Sequence, residues 1–294
     1  MDLRRAVSVT IKYAGFFNFP LSEQEIYYWL TTSRSASKEQ LKPYLPGPLS
    51  TKEKKLRLEV FQSSQHKISH AKNLIRILRY VPGLRLVALT GSVAAGNSHP
   101  DDDIDLLFIT SPHCLWLLRP LVILLISVFF RRRHPGEDHS KASDAFCPNL
   151  WLDSLSVSIP KNKRNLYTAH EVLQTIPLLD RGDTYQTFLY ANRWTKRYLA
   201  NAYQSSLLPV RPLAEVSYPS RGSLIPEGVN PRHRGSHSCF SYVYFLFAPL
   251  NYLFFIIQLL YMTPKKTSEV VHLHAAFLHT TDFAGAISHH LKTP

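Results

Sequence analysis

Leu86–Thr110, LVALTGSVAAGNSHPDDDIDLLFIT, sets the reading of the whole chain. Leu86–Leu89 and Ile104–Ile109 are short apolar runs bounded by turn residues, which predicts two strands. Between them lie Gly91-Ser92, the small residues Val93-Ala94-Ala95, and a loop with Asn97, Pro100 and three consecutive aspartates. Side chains alternate along a strand, so Asp103 and Asp105 share one face while Ile104, Leu106 and Phe108 share the other. Two carboxylates directed the same way repel each other, and a bound divalent cation relieves that repulsion.

The glycine-serine pair has its own chemistry. Gly91 allows the backbone to approach a phosphate closely, and Ser92 adds a hydroxyl and a backbone N–H at the start of a short helix. Asp103 and Asp105 can then hold one or two Mg²⁺ ions against the same phosphates. Such a site suits phosphoryl or nucleotidyl transfer from a nucleoside triphosphate. Asp101 and Asp102 compete for the ligand role, but Ile104 and Leu106 alternate into the strand in the register that favours Asp103 and Asp105.

At these residues, Leu89-Thr90-Gly91-Ser92 with Asp103-Ile104-Asp105-Leu106-Leu107, the chain resembles the polymerase-β-type nucleotidyltransferase superfamily. The match is firm over Arg85–Thr110 and looser through Ile159. It resembles the uncharacterised bacterial members that carry an N-terminal helix-turn-helix-like piece and a C-terminal helical region. The resemblance implies an α/β (α+β) fold with a small mixed-sheet nucleotidyltransferase core. It further implies that Asp103 and Asp105 ligate the catalytic Mg²⁺ and that Gly91 and Ser92 bind the β/γ phosphates. The family also draws a third carboxylate from a later strand, as metal ligand or general base. Asp153 is taken for that role, with Asp144 and Glu171 as rivals; without it, the protein would bind nucleotide with weak or no turnover.

Net charge is +13 with 45% hydrophobic residues, which fits a globular chain with a polyanionic partner: nucleotide, nucleic acid or an anionic lipid surface. The acceptor class is left open between a small molecule, RNA and protein. Three cysteines without a paired pattern (Cys114, Cys147, Cys239) argue against a disulfide framework and favour a reducing, cytoplasmic setting. The N-terminus carries its apolar residues Leu3, Val7, Ile11 and Ala14 at helical spacing, unlike a signal peptide.

Four regions are expected. In residues 1–50, Ser22/Glu25 and Ser37/Gln40 form capping boxes, predicting three short helices that resemble a helix-turn-helix or winged-helix module; a packing subdomain is the plainer reading. Residues 51–204 hold the core: a basic helix over Thr51–Tyr80, the two strands, and an apolar Leu115–Phe130 ended by Arg131-Arg132-Arg133-His134. That apolar run is too short for a membrane span and interrupted by Arg119-Pro120, so it reads as a buried crossover helix. Phe146–Ile159 reads as two strands with a turn at Asp153-Ser154, with Asn149, Trp151 and Asp153 on one face. Tyr167–Ile176 and Thr184–Tyr203 read as helices. Residues 205–238 form a basic Pro/Gly-rich linker. In the C-terminal helical region, 239–294, Phe240–Met262 is long enough to span a membrane but broken by Pro249, Asn251 and Gln258, so a buried or interfacial helix is favoured; a last helix runs from Thr267 through Phe277. The function expected is Mg²⁺-dependent nucleotidyl transfer from an NTP. The alternatives are a non-catalytic, nucleotide-sensing winged-helix DNA-binding protein, or a membrane-attached protein anchored by 240–262.

Overall fold

In the computed structural model, the two strands beside Gly91-Ser92 form β1 (Leu84–Leu89) and β2 (Ile104–Thr110), antiparallel with Leu89 opposite Leu106. The structure describes residues 2–134, 136–138, 142–207, 246–263, 269–278 and 283–292. Ile104, Leu106 and Phe108 enter one hydrophobic core and Leu107 and Ile109 the other, so the expected alternation holds. The apolar run after β2 is a crossover helix, and the strand it delivers, Phe146–Asp153 (β3), lies parallel to β2, with Asp105 opposite Cys147.

Three further strands complete a six-stranded mixed sheet: Ile176–Asp180 (β4), Val270–His272 (β5) and Ala275–Phe277 (β6), in the order β4-β1-β2-β3-β6-β5. The sequence reading missed β4 because Pro177 interrupts it. The strand lies at the sheet edge, where a proline costs no inner ladder bond. The helix expected through Phe277 is instead the β5–β6 hairpin: β3 needs an antiparallel partner, and Ala275–Phe277 supplies it against Leu150–Leu152. Nor does Asp153-Ser154 turn a hairpin, since β3 ends at Asp153 and residues 154–159 are not a strand.

The register between β2 and β3 slips by one residue after Asp105. Pro148 cannot donate a ladder hydrogen bond, and Trp151 turns to the opposite face from Asn149, stacking on Phe108 at 4.2 Å. The shared face expected for Asn149 and Trp151 is therefore corrected.

Helices cover both faces of the sheet. The chain begins with α1 (Leu3–Phe16), α2 (Glu23–Tyr28) and α3 (Lys38–Leu41), followed by α4 (Thr51–Leu78), α5 (Gly91–Ala95) and the crossover helix α6 (Leu115–Phe129). Next come α7 (Leu166–Gln174), α8 (Thr184–Ala191), α9 (Ala200–Leu207), α10 (Ala248–Met262) and α11 (Phe283–Lys292). α4, α6 and α10 pack on the Phe108 face, and α7, α8 and α9 pack on the Leu107 face. The single helix expected over Thr184–Tyr203 breaks at Asn192. The side chain of this buried residue donates to Val157 O and Phe188 O and accepts from Ile159 N and Trp194 Nε1.

Both expected capping boxes form, at Ser22 and Ser37, and a third, at Ser50, starts α4. α3 is four residues long and runs directly into a 3-10 turn over Lys42–Tyr44. The module is also tied to the core: Asn201 on α9 accepts from Ala36 N and donates to Tyr27 O, while buried Arg57 on α4 pairs with Glu25 at 2.5 Å. Among the described residues, no helix is long and apolar enough to cross a membrane. Apart from 205–207 at the end of α9, the basic linker of 205–238 lies outside the described residues, as do Cys239 and 240–245 of the apolar run.

Candidate active site

β1 ends at Leu89, and the chain turns through Thr90 and Gly91 into α5. Thr90 N–H still donates to Asp105 O at 3.1 Å, which holds the turn against the start of β2. Gly91 has φ +64°, and a Cβ there would sit 2.3 Å from Asp105 Oδ2. The residue must therefore be glycine for two reasons: its backbone is left-handed, and the Asp105 carboxylate fills the space of the missing side chain.

The loop after α5 is pinned from below. Lys67 on α4 is buried and donates to Pro100 O, Asp102 O and Asp144 Oδ1 at 3.0, 2.7 and 2.9 Å. Asp102 accepts from Ser92 Oγ and His99 N, both at 2.9 Å, and serves as a loop staple. Asp101 is exposed. Of the two rival pairs, Asp103/Asp105 is the one brought to a common site.

Asp103, Asp105 and Cys147 offer ligand atoms that all lie within 4.8 Å of one another. Asp103 Oδ2 accepts from Arg133 Nη1 at 2.7 Å. Asn149 Nδ2 donates to Asp105 Oδ1. Arg133 arrives because residues 131–133 run beside the start of β3: Phe146 N donates to Arg131 O, and Arg133 N donates to Phe146 O. The arginine run thus contributes both a sheet-edge segment and a side chain of the site.

Glu171 on α7 closes the other side, where its carboxylate accepts from Gly91 N–H. Of the residues named for a third carboxylate, Glu171 is the one that lies beside the pair, and it comes from a helix. Asp144 is the counter-ion of Lys67. Asp153 is not brought here: it lies opposite Thr110 at the far end of β3, about 20 Å along the strand from Cys147. The α5 helix is a single turn of five residues. The two groups expected to bind phosphate, Gly91 N–H and Ser92 Oγ, hold Glu171 and Asp102 here.

The electrostatics follow from this crowding. Burial, then Asp103 and Glu171, push the Asp105 carboxyl well above the ordinary carboxylate range, against the pull of Arg133 and the Cys147 hydrogen bond. Burial raises Glu171 to about 7 despite the Gly91 hydrogen bond. The Cys147 thiol is raised by burial and then by Asp105 and Asp103. Tyr167 and Tyr13 beside Glu171 are raised by burial first and by that carboxylate second. The site holds acidic groups at a density that one guanidinium offsets only in part.

The sequence reading missed Arg133, Cys147 and Asn149. Arg133 reads as one more member of a charge run. Cys147 and Asn149 flank Pro148 in an expected strand, but the register slip there, which sets the face each takes, is not visible in the sequence. No family model, curated protein or solved structure matches the chain.

Proposed function

We propose that the chain is a nucleotidyltransferase of the polymerase-β type, which moves a nucleoside monophosphate from an NTP to an acceptor hydroxyl. The observation that supports this reading is the close approach of Gly91 at the end of β1 to Asp105 at the start of β2, with Asp103 and Cys147 around the same point. The donor set suits a divalent cation: two carboxylates in reach of one another, with a buried excess of acid that a cation would neutralise. The thiol is softer than oxygen, so the set accommodates Mn²⁺ or Zn²⁺ as well as Mg²⁺.

Bound at Asp103 and Asp105, the cation supplies charge neutralisation of the triphosphate and a lowered pKa for the attacking hydroxyl. Ser92 and Arg133 are the side chains that can exchange their present carboxylate partners for phosphate oxygens. Glu171, with a pKa near neutrality, is matched to take the proton of the acceptor hydroxyl. The hydroxyl oxygen bonds to the α-phosphorus, the α–β anhydride bond breaks, and pyrophosphate leaves with the electron pair.

Titration with Mn²⁺ and ATP tests the site. The wild type should bind the pair, and Asp103→Asn or Asp105→Asn should weaken binding by about 100-fold or more; unchanged binding in both variants would overturn the reading. The second reading, nucleotide binding without turnover, draws on Cys147 and Asn149 standing on β3 where the family resemblance places a carboxylate. Incubation with α-labelled NTPs and cell extract separates the two, since only a transferase leaves label on an acceptor.

A further inference from the structure

The helices α6 and α10 carry most of the large apolar side chains left exposed among the described residues. On α10 and the turn before it, Leu246, Leu250, Leu253, Ile257 and Leu260 recur every three or four residues on one outward stripe. Leu253 and Ile257 are each 53% exposed and Leu260 is 69% exposed. On α6, Leu124 and Val128 continue the patch at 58% and 64% exposed, with Leu121 and Phe129 beside them.

The polar groups of the two helices point the other way. Asn251 is buried and its Oδ1 accepts from Trp116 N at 2.9 Å. Gln258 Nε2 donates to Trp116 O at 2.7 Å, and Gln258 Oε1 accepts from Arg119 Nη1 at 2.9 Å. This pair therefore places amide and guanidinium groups in its seam and leucines outward, the reverse of a helix pair facing water. Neither helix contains an aspartate or glutamate, and the one arginine, Arg119, is turned inward.

We infer that the outer face of α6 and α10 is a docking surface for an anionic phospholipid bilayer, on which the pair lies in the plane of the interface. Each helix is 15 residues, about 22 Å, short of the ~30 Å hydrocarbon core, so the pair lies on a leaflet and does not cross it. The charge at the rim selects the occupant. α6 runs directly into Arg131-Arg132-Arg133-His134; Arg133 is taken by Asp103 and half-exposed Arg131 pairs with Glu137 at 2.6 Å, so the cation beside the apolar face is Arg132, which folds back to Ser127 Oγ at 3.2 Å, next to Val128. A cationic rim against an apolar face complements anionic headgroups. A second copy of this +13 chain would bring like charges together at the same rim. Tyr252 and Tyr261, both exposed on α10, suit the headgroup level.

The test is flotation of the full chain with phosphatidylcholine vesicles, with and without about 30 mol % phosphatidylserine. The chain should float with the anionic vesicles and remain below with the neutral ones. Leu124→Glu with Leu260→Glu should reduce flotation by about tenfold or more. Arg131→Gln with Arg132→Gln should weaken it less and flatten its salt dependence. Leu124 and Leu260 are exposed and lie outside the metal cluster, so in the leucine variant Mn²⁺–ATP binding and the thermal melt should be unchanged. A wild-type chain that stays in the buffer with both vesicle types would overturn the inference. Two accompanying results would name the true occupant: a dimer by light scattering, lost in Leu124→Glu/Leu260→Glu, means a second copy. A lowered melt in that variant means a segment of the same chain.

Discussion

The two ends of β3 each bury carboxylate chemistry, and they do so in opposite ways. At the C-terminal end, Asp153 is fully buried and saturated: Oδ2 accepts from His113 N at 2.8 Å and lies 3.4 Å from His274 Nδ1, while Oδ1 accepts from Leu155 N at 2.9 Å. These donors fix the turn at His113, whose φ is +56°, and the β5–β6 hairpin through His274. At the N-terminal end, Asp103 and Asp105 face each other, a thiol and one arginine. A carboxylate surrounded by backbone donors holds structure together. A buried carboxyl that burial and neighbouring acids push up, as at Asp105, marks a place where a cation can neutralise the acid.

Substitutions at the two ends sharpen that contrast. Asp153→Ala leaves the part-buried N–H groups of His113 and Leu155 without their acceptor and should cost about 2–3 kcal/mol of stability, read as a loss in urea midpoint. Mn²⁺ binding by the folded fraction should be unchanged; a loss of metal affinity without a loss of stability would reverse the assignment of the two ends. Gly91→Ala drives a Cβ into the Asp105 carboxylate from a left-handed backbone and should cost about 2 kcal/mol. It should also displace Asp105 and so lower cation affinity, unlike Asp153→Ala, which a parallel metal titration would show.

The smallest effect is a pH dependence. Glu171 holds its proton up to about pH 7 in the fold, against about 4.3 in an unfolded chain. A raised carboxyl pKa leaves stability intact below the unfolded value and erodes it as pH climbs through the folded one. Glu171→Gln removes that loss and keeps an acceptor for Gly91 N–H. The variant should melt like wild type near pH 4 and be more stable at pH 8 by about 1–2 kcal/mol, a few degrees. Residual solvent contact at Glu171 screens its charge and limits the gain to this size. A melt difference that is constant across pH would rule out the shifted carboxyl.

Much of the acidic end was legible. Leu86–Leu89 and Ile104–Ile109 lie between turn residues, and Ile104, Leu106 and Phe108 alternate with Asp103 and Asp105; a period of two needs no knowledge of the partner strands. Asp153 misled because buried acids of both kinds look alike in a sequence, and only the register of β3 on β2 separates them. Pro177 hid β4 and Pro148 hid the bulge, since an edge position or a register slip is a property of the assembled sheet. Val270–Phe277 has no helix breaker, yet pairing to β3 decided its conformation.

By itself, then, the sequence determined the strand–turn–strand unit around Gly91-Ser92, the carboxylate pair Asp103/Asp105, the capped starts of α2 and α3, and the crossover role of α6. All of these rest on local spacing and backbone chemistry. Only the tertiary structure decided that Arg133, Cys147, Asn149 and Glu171 meet that pair, that Asp153 does not, and that α6 and α10 turn their leucines outward. Side chains from segments remote in sequence come together through sheet register and helix packing, and no local periodicity encodes which remote face each will meet.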